Sequence, residues 1–279
     1  MKLMRPLLST FVLSVALPSL IQGQSAADIM RNALDAQIDR LAGVENVRIV
    51  QDIMGMETSV YMEKRELDGV PVLFPVSVSV AGMTNPIPQD MAQSDWSNPF
   101  QEAWIERAKL DGEETLDGHR TYILAIDDFT GLVLPGMPGA DQGAEITPKS
   151  MRFWMDRDDY VTRKVEMDME SRGQDGTPQD VHMELFMEDY REVDGYVHPF
   201  VTRMLSRGMM EAADIDQAEI EAQLAQMRAQ LDQIPEAQRA MVEGMLNAQI
   251  ERLESMLGSE DGNMEMTITV KGIEVNAGG

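Results

Sequence analysis

Two hydrophobic periods divide the chain. Met30, Leu34, Ile38 and Leu41 recur at spacings of four, four and three, which marks one apolar helix face. A helix is therefore predicted over 26–41, with Ser25 as its cap and Gly43 as its stop. Beyond it the period changes to two. Val47–Met54 and Met56–Leu67 read as strands that meet near Gly55, and Val70–Val80 reads as a third after an Asp68-Gly69 turn. Residues 82–97 read as a polar loop broken by Asn85-Pro86 and Ile87-Pro88. Asn98-Pro99 then opens a short helix whose Trp104 and Ile105 face the core.

From Leu110 strand follows strand. Leu110–Thr115 and His119–Asp127 flank Asp117-Gly118, a favoured hairpin turn. Residues 129–148 read as a Gly/Pro-rich loop. Met151–Asp156 and Tyr160–Glu170 flank a short acidic turn. In the second, Val165, Met167 and Met169 alternate with Lys164, Glu166 and Asp168. Val181, Met183, Leu185 and Met187 repeat that alternation, and Asp194-Gly195 turns the chain into Tyr196–Leu205. A helical segment interrupts the series. Ile220, Leu224, Met227, Leu231 and Ile234 form one stripe, and Met241, Met245, Ile250, Leu253 and Leu257 form a second beyond Pro235. Residues 209–257 thus predict an αα-hairpin with a narrow apolar seam. Met264–Val275 returns as the last strand.

Consecutive hairpins make an antiparallel sheet, and about ten or eleven strands curl rather than stay flat. The predicted fold is α+β: a strongly curved antiparallel half-barrel with helices on its concave side and an inserted αα-hairpin. The domain organisation is a signal peptide over 1–23 and a single domain over 24–279 that carries the insert.

The signal-peptide reading rests on Lys2 and Arg5 followed by an apolar run, Leu7–Ile21. That run would span about 22 Å as a helix, short of a ~30 Å hydrocarbon core. Gly23 ends it at a small residue, which places cleavage there and the mature protein outside the cytoplasm, in the periplasm. The chain has no cysteine, which removes disulfides, thiol catalysis, thiolate metal sites and lipid anchoring through an N-terminal cysteine. The net charge of −25 argues against a nucleic-acid partner, since phosphate binding needs a basic surface.

Four phrases carry a resemblance. They are NPFQEAWIERAKLDGEETLDGHRTYIL (Asn98–Leu124), RFWMDRDDYVTRKVEM (Arg152–Met167), MEDYREVDGYVHPF (Met187–Phe200) and VKGIEVNAG (Val270–Gly278). Together with the order of elements, they resemble the Lol-type (LolA/LolB-like) outer-membrane lipoprotein-sorting proteins. The resemblance implies an unclosed barrel covered by helices, with acyl chains held in an apolar cavity. It also implies a basic residue after the second long strand that handles cargo. In YMEKRELDG that position is Arg65 or Lys64. The insert at 209–257 departs from the carrier pattern.

No catalytic motif is present, and no enzyme activity or cofactor is expected. The three histidines, His119, His182 and His198, lack zinc-ligand spacing and read as strand-surface or hydrogen-bonded rim residues. Asp156, Asp158 and Asp159 read as a hairpin turn rather than a calcium loop, and no metal is expected. The unusual feature is methionine, 24 residues, many at alternating strand positions. Thioethers adapt to irregular partners, so a Met-lined cavity suits acyl chains; the alternative is a plain Met-rich core. Met167, Met183, Leu185 and Val165 are the expected cavity residues. Two functions remain open from sequence. One is a non-enzymatic periplasmic binder or carrier of lipid or acylated lipoprotein cargo. The other is an envelope sensor or scaffold that docks a protein partner through 209–257.

Overall fold

The computed structural model describes residues 24–67, 69–80, 82–87, 102–130, 145–172, 176–208, 222, 224–229, 250 and 263–277. The expected signal peptide and the Asn98 cap lie outside these residues, as does most of the 209–257 insert.

Helix α1 spans Ala26–Arg40 and begins at a capping box: the Ser25 hydroxyl accepts from the Asp28 N–H at 3.1 Å, and the Asp28 carboxylate accepts from the Ser25 N–H at 3.2 Å. The strands are β1 (Asn46–Ile53), β2 (Met56–Leu67), β3 (Val70–Val80) and β4 (Met83–Pro86), followed by the short helix α2 (Glu102–Arg107). Then come β5 (Lys109–Leu116), β6 (His119–Ile126), β7 (Glu145–Asp156), β8 (Thr162–Arg172), β9 (Pro178–Val193), β10 (Tyr196–Arg207) and β11 (Met264–Val275). All eleven form one antiparallel sheet in the order β4-β3-β2-β1-β11-β10-β9-β8-β7-β6-β5, open and curved.

Three features differ from the pattern-based reading. Residues 83–86, expected in a polar loop, make the short edge strand β4, because Ser77–Val80 of β3 offers them a free ladder. Strand β7 begins at Glu145, inside the expected Gly/Pro loop; Pro148 is accommodated at a register shift opposite Met169. The last strand pairs on both sides. β11 runs against β10 from Val201↔Thr269 to Ser206↔Met264, and also against β1 from Val47↔Val275 to Ile53↔Ile268. It therefore joins the β1–β4 meander to the β5–β10 meander.

One face of the sheet packs under the helices. Ile29, Met30 and Ala33 of α1 bury against Leu124 and Ile126 of β6, Met151 and Met155 of β7, Met167 and Met169 of β8 and Val181 of β9. Trp104 and Ile105 of α2 complete this cluster, as expected from their sequence context. Arg31 ties the two helices through Glu102 at 2.7 Å. A second cluster holds the other half of the sheet: Leu41 and Val44 at the exit of α1, Val47 and Ile49 of β1, Tyr196 and Phe200 of β10, and Val270 of β11. The opposite face alternates aromatic rings and cations. Trp154, Lys164, Phe186 and Arg203 stand side by side across β7–β10. The Lys164 ammonium lies 4.8 Å from the Trp154 ring centre and 4.9 Å from that of Phe186, and pairs with Glu166 and Glu184.

Candidate functional site

A cleft of about 360 Å³ opens where the two core clusters part, under the C-terminal half of α1. The helix contributes Ala33, Gln37 and Arg40, which share one face because they step by four and three, and its C-cap contributes Leu41. Met62 of β2 and Leu73 of β3 form one wall. Met187 and Tyr190 of β9, with Tyr196 to Pro199 of β10, form the opposite wall. The β7–β8 turn closes one end with Tyr160, Val161 and Thr162.

That turn is built around a buried carboxylate. Asp156 is 2% exposed and accepts from the Asp158 N–H at 2.9 Å and from the Arg163 guanidinium at 2.9 and 3.0 Å. His119 Nδ1 lies 3.0 Å from it. Burial alone would raise this carboxyl; the hydrogen bonds from Asp158 and Arg163 outweigh it and hold the group below its ordinary range. The Asp156 carbonyl accepts from the Tyr160 N–H, so the turn delivers Tyr160 and Val161 to the cleft.

The cleft's polar groups are largely satisfied within the protein. The Tyr190 hydroxyl donates to the Thr162 carbonyl at 2.5 Å, and Arg163 sits 5.0 Å over the Tyr190 ring. Burial pushes the Tyr190 and Tyr196 phenols up, so both keep their protons. Tyr196 stacks on His198 with ring centres 5.6 Å apart, and its hydroxyl lies 3.1 Å from His198 Nδ1. Burial lowers the half-buried His198 imidazole to about 4, so it is neutral at pH 7 and can accept there from Tyr196. The Arg40 guanidinium donates to the Asp159 carbonyl.

The residues singled out from sequence lie around this cleft rather than in its lining. Met167 is 1% exposed beneath α1, directly opposite Met183, and Val165 stands opposite Leu185. Met167, Val165 and Met183 belong to the first core cluster. Met183, Leu185 and Met187 share a face of β9, so they run from that cluster toward the cleft wall. Lys64 stands opposite Leu73 on β3, and Glu45 holds its ammonium at 2.8 Å. Arg65 points the other way, over the Phe74 ring at 5.5 Å. Of the other two histidines, His182 pairs with Asp168 at 2.7 Å and His119 belongs to the Asp156 turn. Among the described residues no cluster of three or more His, Asp or Glu could hold a metal ion, and no helix is long and apolar enough to cross a membrane.

Sequence reasoning passed over the tyrosines. The chain has five, and three of them, Tyr160, Tyr190 and Tyr196, line the cleft. Such rarity in a Met-rich sequence is a signal, because tyrosine supplies an apolar body with a polar tip. A second, polar depression of about 500 Å³ lies on the opposite face, among Arg48, Tyr61 and Ser77.

No protein-family model matches the chain, and no curated protein matches it. Solved structures do. One is an outer membrane lipoprotein-sorting protein domain from Vibrio parahaemolyticus, 9% identical, covering 89% of this chain and 94% of that one, with a TM-score of 0.36. Another is a DUF1329 family protein from Desulfovibrio piger, 11% identical, covering 89% and 94%, with a TM-score of 0.37. A third is a LolA superfamily protein from Nitrosomonas europaea, 9% identical, covering 92% and 96%, with a TM-score of 0.32. Identities of 9–11% transfer no site residue to this chain.

Proposed function

We propose that this protein is an exported, non-enzymatic binder or carrier of lipid or acylated protein, acting in the periplasm. The observation that carries this reading is the cleft. It is concave, its volume falls in the ~300–1,000 Å³ range of small-molecule sites, and its walls are mostly apolar with a few fixed polar groups. Met62, Leu73 and Met187 are the proposed acyl contacts. Met183, Leu185, Val165 and Met167 continue the same apolar sheet face behind them, so a longer chain would be followed inward along β8 and β9. Unbranched thioethers there can repack around a flexible chain at little cost.

Leu73→Asp tests the reading. A carboxylate in this wall should weaken binding of a neutral fluorescent acyl ester about tenfold or more, because a desolvated charge is left unpaired. Unchanged binding by a folded variant would remove the cleft from the function. N-terminal sequencing of the envelope form should begin near Gln24; an intact Met1 would remove export by cleavage.

A further inference from the structure

The cleft's charge is out of proportion to the chain's. Asp and Glu make up 48 of 279 residues, yet among the described residues none that lines the cleft carries a carboxylate. The permanent cation of this described lining is Arg40. Among the described residues Arg40 forms no ion pair, its guanidinium donating to a main-chain carbonyl of the β7–β8 turn. Other basic residues around it are neutralised: Lys64 by Glu45, and Arg163 by Asp156 and Asp159. Gln37 stands one turn before Arg40 on the same helix face, a neutral donor beside the cation.

We propose that the cleft binds a single-chain anionic amphiphile, a long-chain carboxylate, with Arg40 as the headgroup anchor. This rests on the acyl-site reading above and names the headgroup and the number of chains. The guanidinium is a planar fork that matches a carboxylate, and it keeps donors beyond the one given to Asp159. Described lining residues free of Asp and Glu spare an incoming anion the close repulsion that a chain of net charge −25 otherwise imposes. The volume, about 360 Å³, lies at the low end for small-molecule sites and suits one chain rather than a multi-chain anchor.

The test uses the mature chain at neutral pH with parinaric acid and its methyl ester as fluorescent probes. The acid should bind about tenfold or more tightly than the ester, with the preference shrinking as salt rises. Arg40→Gln, which removes the charge and keeps a polar amide, should erase the preference and keep ester binding. Arg40→Lys should retain part of it, and Arg172→Gln, at an exposed pair with Glu170, all of it. Equal binding of acid and ester by the wild type would overturn the anionic headgroup while leaving the acyl site standing. Binding of neither would overturn both. An Arg40→Gln protein that is folded by circular dichroism and has lost the ester as well would show that Arg40 shapes the cleft instead of reading the charge.

Discussion

His198 and Asp156 show how surroundings set the charge of single residues in so acidic a chain: burial keeps the imidazole neutral, and hydrogen bonds from Asp158 and Arg163 keep the carboxylate charged against burial. The imidazole titrates near 6.5 in an unfolded chain and at about 4 in the fold. Between those values the unfolded state binds a proton that the folded state refuses. Stability must therefore fall as pH is lowered across that interval. Asp156 acts lower still. Its depressed carboxyl contributes stability above the ordinary carboxylate range, and that contribution is lost as pH falls through its folded value. Denaturation midpoints measured from pH 7 to 4 should decline in the wild type and decline less in His198→Gln. A His198→Gln protein with the same slope would place the acid sensitivity elsewhere.

Among the elements, α1 has two jobs along its length. Its first half is a core helix, with Ile29, Met30 and Ala33 buried over β6–β9; its second half roofs the cleft. A helix with one end over an opening depends on its other end for alignment, so the capping box matters beyond its local contacts. Ser25→Ala should lower stability by about 1 kcal/mol. The same change should also weaken acyl-probe binding, because Gln37 and Arg40 ride on the helix. Chemical denaturation and probe titration of one preparation would separate the two effects; lost stability with unchanged binding would mean that the roof is held by Leu41 and Val44 instead. The strands follow a simpler logic. At Asp117-Gly118 and Asp194-Gly195 both residues take positive φ, the two-residue turn whose twist matches paired strands. The sheet's edges are blunted: β4 has only four residues, and β5 is largely exposed and carries Lys109, Glu113 and Glu114.

At the scale of the whole molecule, β11 is the seam. It returns from the far side of the 209–262 segment to pair with β10, and in doing so brings β1 and its meander into the same sheet. The segment thus leaves and re-enters at one hairpin tip, where loop length costs only about 0.6 kcal/mol per doubling. Leu224 and Ile250 within it are buried. Replacing 209–262 by Asn-Gly should leave a folded sheet by far-UV circular dichroism with altered rates of probe exchange. Gly208 must be kept, since it has positive φ and a Cβ there would run into the Asp180 carbonyl of β9. Loss of folding would make the insert part of the core; unchanged folding and exchange would leave it as a surface for a protein partner.

Sequence alone determined what depends on neighbours close in the chain. The periods of the apolar residues located α1 and most strands, Ser25 and Gly43 bounded the helix, and the Asp-Gly pairs placed the turns, because these preferences act within a few residues. Met167, Val165, Met183 and Leu185 were legible as one sheet face for the same reason. Tertiary structure alone decided which strand joins the two halves of the sheet, since β1 and β11 lie more than two hundred residues apart and both read as ordinary alternating strands. It also decided the cleft. Arg40, Leu73, Tyr190 and His198 belong to four separate elements, and only the bend of the sheet under α1 brings them to one cavity. Lys64 and Arg65 make the point within one strand: adjacent in sequence and alike in charge, they face opposite sides of the sheet, because the pleat alternates and only packing tells which side is covered.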